Sequence, residues 1–240
     1  MGVLMPSIQD NIDSVKSKIE QKLEQLGRAT DDYTLVAVTK THPPEMMETA
    51  LQCGIEHIGE NKVQEAMRKI PMLSQPYVGF HYIGHLQSNK INNLLSLKPI
   101  LIHSVDSLYI AQQLNRALGN RNLTQDILIQ VNTTEEASKS GVSFTNAEDM
   151  VWQIAALPCL RIRGLMTIGK MSIDPEKTRP FFRQLKQLSD NISTLDIPGV
   201  EMRYLSMGMS DDYLVALEEG SNMLRLGSVL FGARSYGGAD

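Results

Sequence analysis

The stretch 35–40, LVAVTK, is an apolar run of strand type that ends on a lysine. Two later segments, SMGMSDD at 206–212 and RLGSVLFG at 225–232, each place glycine and serine just before helical sequence. A lysine amine that loses solvation at a strand end can lower its pKa and attack a carbonyl carbon. Glycine lets a backbone approach an anion closely, serine adds a hydroxyl donor, and the free N–H groups of a helix start complete a phosphate cradle. Taken singly, Lys40 also fits a strand meeting water, and Ser210 and Ser228 fit plain N-caps beside turn glycines. Together they describe two chemistries. One is an aldolase whose lysine condenses with a phosphorylated sugar; the other is a pyridoxal 5′-phosphate site, where the aldehyde belongs to the cofactor. Arg225 lies two residues before Gly227 and so shares its strand face. There it either reaches a pyridine nitrogen, with the phosphate on Gly227 and Ser228, or makes a salt bridge at a rim.

The elements that must position these residues alternate along the chain. Ile8, Ile12, Val15, Ile19, Leu23 and Leu26 recur at helical spacing over 7–26, with Ser7 and Asp10 at the start and Gly27 at the stop. Strand patterns follow at 34–40, 57–59, 80–84, 100–103, 126–132, 161–168, 202–206 and 223–226. Helical patterns separate them at 44–52, 62–70, 88–95, 107–118, 146–157, 175–192 and 211–219. This alternation predicts an α/β fold: a single-domain (β/α)8 TIM barrel over 1–240 with an extra N-terminal helix. An open doubly wound sheet is less consistent, because no G-x-G-x-x-G follows the first strand. Barrel sites lie at the C-terminal strand ends, and barrel phosphate sites use the loops after strands seven and eight. The expected rim therefore carries Lys40, Glu60-Asn61, Gly84-His85, Asn132, Met166-Thr167, the loop from Ser206 through Met207 and Gly208 to Ser210, and Arg225 to Ser228.

Composition removes several classes. The formal charge is −4, with no run of five like charges, so a nucleic-acid footprint is not expected. Cys53 and Cys159 have no CxxC spacing, which fits a reducing compartment. The start MGVLMPSIQDN does not have the pattern of a signal peptide, and no apolar run is of membrane length. The expected location is cytoplasmic. His81, His85 and His103 fall near strand ends without HxH or HExxH spacing, so no metal site is expected. The polar stretch VNTTEEASKSGVS (131–143) reads as a loop with a solvated Lys139, and HLQSNK (85–90) as the start of a helix capped by Ser88.

LVAVTK, GENKVQEA, FHYIGHLQSNK, IHSVDS, VNTTEEASKSG, GLMTI, LSMGMSDD and RLGSVLFGAR occur in this order and at barrel spacing over nearly the whole chain. In these motifs the sequence resembles the pyridoxal phosphate homeostasis protein family, related to the N-terminal barrel domain of bacterial alanine racemase. The resemblance implies that Lys40 forms a Schiff base with pyridoxal 5′-phosphate (PLP) and that Arg225 meets the ring nitrogen. It also implies phosphate contacts from Ser206, Gly227 and Ser228, with Asn61 and Met166 beside the ring. Met207, Gly208 and Ser210 belong to the same cofactor-binding loop. The family often has threonine at the position of Ser228, a change that keeps the hydroxyl.

By the same resemblance the protein handles vitamin B6 and amino-acid and keto-acid balance without established catalysis. A PLP-dependent racemase-like enzyme is the alternative. Alanine racemase shares the arginine but needs a tyrosine from a second domain, and this sequence stops eight residues past Gly232. Expected partners are PLP and, by transimination, free amino acids or apo PLP-dependent enzymes, on a monomer with no nucleic acid and no membrane.

Overall fold

Ser7 opens helix α1 (Ile8–Gln25) through a reciprocal capping box with Asp10. Gly27, at φ 67°, closes it in a Schellman motif, with Arg28 N–H on the Leu23 carbonyl and Gly27 N–H on that of Glu24. The apolar stripe Ile12, Val15, Ile19 and Leu23 is buried, as the spacing predicts. The structure is a computed structural model that describes residues 7–134, 136, 140–169, 172 and 174–232. Lys139 and the residues after Gly232 lie outside the described residues, as does the start of the chain.

From α1 the chain runs β1 (Thr34–Val38), α2 (Pro44–Gln52), β2 (His57–Glu60), α3 (Val63–Lys69) and β3 (Gly79–Tyr82). It continues with α4 (Ile91–Ser96), β4 (Leu101–Val105), α5 (Leu108–Gly119), β5 (Gln125–Asn132), β6 (Val142–Ser143) and α6 (Ala147–Ala155). The last part is β7 (Leu160–Met166), α7 (Arg179–Ser193), β8 (Val200–Ser206), α8 (Tyr213–Glu218), β9 (Met223–Leu226) and α9 (Ser228–Phe231). Each barrel strand pairs in parallel with the next, β1 pairs with β9, and β4 pairs with β5. Eight strands thus close into a barrel, and the short β6 adds to the end of β5.

Closure divides the apolar side chains by strand parity. Ala37, Ile58, Tyr82, Ile102, Ile129, Leu165, Leu205 and Leu226 face the helices and join the large outer core. Val36, Leu101, Leu128, Met166 and Met223 face inward, with Tyr204 packed on them, and fill part of the lumen. Helix α1 packs on α8 and α9 and touches α2, so it completes the outer ring where the barrel closes. Among the described residues no helix is long and apolar enough to cross a membrane.

Several expected boundaries shift for local reasons. β1 ends at Val38 and β3 at Tyr82, so Lys40, Gly84 and His85 sit in the loops beyond the strands. β6 arises inside the stretch expected to be loop, where Val142 pairs with Val131. Ser88 does not cap a helix; it begins a 3-10 turn, Ser88–Lys90, and its hydroxyl oxygen lies 3.5 Å from the Tyr109 hydroxyl. The helix expected from Pro175 likewise starts with a 3-10 turn, Pro175–Thr178, before α7.

Ile19 has 0% exposure at the centre of the α1 stripe. Ile19→Ala is expected to cost about 2–5 kcal/mol, from lost burial plus the cavity left behind. Urea denaturation would show a lower midpoint at an unchanged slope.

Candidate functional site

Lys40 follows β1 at the barrel mouth, on a loop whose backbone is tied down from below. Thr39 N–H bonds the Gly59 carbonyl, which extends the β1–β2 ladder by one step. Thr41 then turns to φ 67°, a conformation costly for a β-branched residue. Its N–H donates to Glu65 Oε1 at 2.6 Å, and Lys69 Nζ donates to the carbonyls of Thr39 (2.8 Å) and His42 (3.0 Å). The same ammonium meets Glu60 Oε1 at 2.6 Å and Glu65 Oε1 at 2.8 Å, while Thr39 Oγ1 donates to Glu60 Oε1 at 2.6 Å. A buried lysine and two carboxylates therefore clamp the residues on both sides of Lys40. Burial pushes the Glu60 carboxyl up, against the hydrogen bonds from Lys69 and Thr39. Glu65 is also raised by burial, but the bonds from Lys69 and Thr41 outweigh it and hold its carboxyl below the usual range.

β9 lies next to β1, with Arg225 paired opposite Val36 and Leu226 opposite Ala37. Arg225 is 5% exposed and points into the lumen. Its Nη1 donates to Ser206 Oγ at 2.6 Å and its Nη2 to the Thr167 carbonyl at 2.8 Å. Among the described residues no carboxylate makes a salt bridge with it; Asp212 acts on it only through space. Burial lowers its pKa to about 10, so the guanidinium stays protonated at neutral pH. Its N–H groups can only donate.

Gly227 ends the strand pattern at the same rim, where an added Cβ would lie 3.3 Å from the Val38 carbonyl oxygen. The N–H groups of Gly227 and Val229 converge on Ser210 Oγ, at 3.2 and 3.3 Å. Ser210 therefore does not cap α8, whose N-cap is Asp212; it joins the loops after β8 and β9. Ser228 is the first residue of α9, on the same short turn. Gly208 makes the approach possible. It sits at φ 95°, an added Cβ would lie 2.6 Å from Ala216 Cβ, and its carbonyl accepts Arg225 N–H.

The remaining expected residues divide. Asn61 follows β2, and its Oδ1 is buried with no hydrogen-bond partner among the described residues. An added Cβ on Gly84 would lie 1.9 Å from the Asn61 carbonyl oxygen, so the β3 loop presses directly on Asn61. Met166 belongs to the apolar lumen cluster beneath the mouth. Two expected residues lie apart from the cradle. Ser206 does not reach the Ser210–Gly227 cradle, because its hydroxyl is held inside the barrel by Arg225 and His103. The Met207 side chain has 0% exposure in the outer core, so only its backbone belongs to the loop.

These parts fit PLP. Two backbone N–H groups already converge on one oxygen, as a phosphate oxygen would require. A buried cation held by dipoles could donate to a ring nitrogen, a buried amide oxygen has no donor among the described residues, and an amine stands on a clamped loop. Sequence spacing missed the clamp, although Lys69 lies on the buried face of α3 with Val63 and Ala66, an unusual place for a lysine. It placed His81 and His103 near strand ends but missed His57 and the hydrogen bonds that link the three rings, because those contacts join different strands.

Lys69→Met would leave the Glu60 carboxylate buried without its cation and is expected to cost about 3–5 kcal/mol at pH 7. A carboxyl raised in the folded state holds its proton there while the unfolded chain has lost it. The deficit relative to the parent should therefore shrink as pH falls through the folded Glu60 pKa. Urea melts of both proteins between pH 8 and 5.5 check this.

Comparison with known proteins gives consistent matches. Residues 14–235 match the family described as alanine racemase, N-terminal domain. The pyridoxal phosphate homeostasis protein of Aquifex aeolicus is 37% identical over 227 residues, covering 95% of this chain and 98% of that protein. A crystal structure of an unknown protein from Bifidobacterium adolescentis superposes with TM-score 0.89 at 34% identity, covering 93% of this chain and 94% of that one. PipY of Synechococcus elongatus, solved with PLP bound, superposes with TM-score 0.82 at 30% identity, covering 94% of this chain and all of PipY (100%). The chain belongs to the pyridoxal phosphate homeostasis protein family, within the wider family of alanine racemase N-terminal domains.

Proposed function

We propose that this protein binds PLP reversibly at the barrel mouth and serves as a custodian of the cofactor. The observation that carries the reading is the buried Arg225, held by Ser206 and Thr167 on the strand next to the one that leads to Lys40. Bound there, PLP supplies an aldehyde. The Lys40 amine would condense with it to a Schiff base, forming one C=N bond and releasing one water. Ser210, Gly227 and Ser228 would hold the phosphate through hydroxyl and backbone N–H groups, and Arg225 would donate to the pyridine nitrogen. Met166 would support the ring from below and Asn61 would border it. That PipY was solved with PLP supports the assignment.

The same arginine weighs toward custody but does not decide it alone, because alanine racemase shares it. A permanent donor at the ring nitrogen keeps that nitrogen unprotonated, which weakens the ring as an electron sink. The clamped loop leaves Lys40 half-buried and not sealed in, and a free amino acid or a lysine of an apo-enzyme would reach it for transimination.

Three measurements test this. The purified protein with PLP should be yellow, and Lys40→Ala should lose the visible band. Borohydride reduction and peptide mapping should place the adduct on Lys40; a label on another lysine, or no chromophore at saturating PLP, overturns the assignment. With L-alanine in deuterated water the holo-protein should exchange the α-proton far below enzymatic turnover, at least a hundredfold under about 10 per second. Exchange at turnover rates would make it an enzyme.

A further inference from the structure

Three histidines form a continuous line of nitrogen-to-nitrogen hydrogen bonds through the barrel. His57 Nδ1 lies 3.0 Å from His81 Nε2, His81 Nδ1 lies 2.8 Å from His103 Nε2, and His103 Nδ1 lies 2.9 Å from Ser206 Oγ. Ser206 Oγ in turn accepts from Arg225. Ring centroids are 5.1 and 5.0 Å apart at 70° and 72°, an edge-on arrangement that aims each N–H along the line. Strand stagger produces it. His57 is in register with Gly79 and His81 with Leu101, so these two histidines each bond the residue two positions further along the next strand. Arg225 stands in the same relation to Ser206, which is in register with Met223. The line climbs from the half-buried His57 to the fully buried His103, then crosses the lumen to β8.

The direction of every proton in this line follows from Arg225. Arginine only donates, so Ser206 Oγ must accept from it. Ser206 has 0% exposure, and the other partner of its hydroxyl among the described residues is His103 Nδ1. If His103 carried its proton on Nδ1, the serine would receive two donors and its own hydrogen would be buried unpaired, a cost of about 1–3 kcal/mol. Ser206 therefore donates to a bare His103 Nδ1. The His103 proton is then on Nε2 and goes to His81 Nδ1; that of His81 is on Nε2 and goes to His57 Nδ1. Each ring thus turns its lone pair toward the guanidinium and its N–H away, the favourable orientation beside a buried cation. Burial and the neighbouring charges push His103 well below the ordinary range, and burial pushes His81 down to about 3, which keeps both neutral.

We propose that His103, His81 and His57 are a one-directional relay that fixes Ser206 as an acceptor and thereby orients the Arg225 guanidinium toward the cofactor's ring nitrogen. His103 is a positioning residue: it acts on the ring only through Ser206 and Arg225. The role toward PLP rests on the function proposed above; the proton order does not.

Nitrogen-15 NMR of the cofactor-free protein, labelled at histidine and arginine, tests the order directly. His81 and His103 should both show a protonated Nε2 and a bare Nδ1 at neutral pH, and Arg225 should show slow guanidinium rotation. A proton on Nδ1 of either ring overturns the relay. In His103→Leu the Arg225 Nη signals should merge and PLP affinity, read from the visible band, should fall about tenfold. His103→Asn keeps an amide where Nδ1 lay and should recover affinity to within about threefold of the parent. Parent-like binding by His103→Leu, or no recovery by His103→Asn in a folded protein, overturns the positioning role. If the parent itself forms no band with PLP, the cofactor reading fails and the NMR result decides the relay alone.

Discussion

A guanidinium sealed inside a barrel has to be solvated by something other than water. Arg225 loses several kcal/mol of hydration on burial, and no carboxylate bonds it directly among the described residues. Its charge is met by dipoles: the Ser206 hydroxyl, the Thr167 carbonyl and, behind the serine, a line of neutral imidazoles. A carboxylate at that position would give a self-contained ion pair with little left for a ligand. Dipoles lower the cost of burial while leaving the cation able to donate to a heterocyclic nitrogen.

The mouth uses the opposite solution. Lys69 is surrounded by two carboxylates and two backbone carbonyls, and its charge is fully spent on structure. What it secures is the short turn that carries Lys40, including the left-handed Thr41 that would otherwise relax. Two buried cations thus serve two ends. One is saturated and holds the backbone, and the other keeps N–H groups beyond those that Ser206 and Thr167 accept. The Ser210 hydroxyl gathers two backbone N–H groups, so the contact between the loops after β8 and β9 sets their direction in advance.

Much of this was legible from residue order. The alternation of strand and helix patterns marked the barrel, and inward parity placed Lys40, Arg225 and Gly227 on one rim. Misreadings cluster where short-range pattern and long-range contact disagree. The family resemblance implied a phosphate contact for Ser206; as the last residue of β8 it faces the lumen, and Arg225 donates to its hydroxyl. Ser210, which by position alone also fitted the cap of its own helix, closes against α9 across the rim. The strand Val142–Ser143 was hidden in a polar stretch because its support comes from β5 and not from its own side chains.

Sequence by itself determined the barrel class and the family and singled out candidate residues at the rim, because side-chain parity and strand order survive in a one-dimensional pattern. Only the tertiary structure decided which of those residues touch. The line from His57 to Arg225 depends on a two-residue stagger repeated between neighbouring strands and on one bond between residues 103 apart. The clamp on the Lys40 loop depends on a lysine of α3 reaching under β1. Neither has a spacing of its own, since closing a barrel brings together positions that the chain separates by whole βα units.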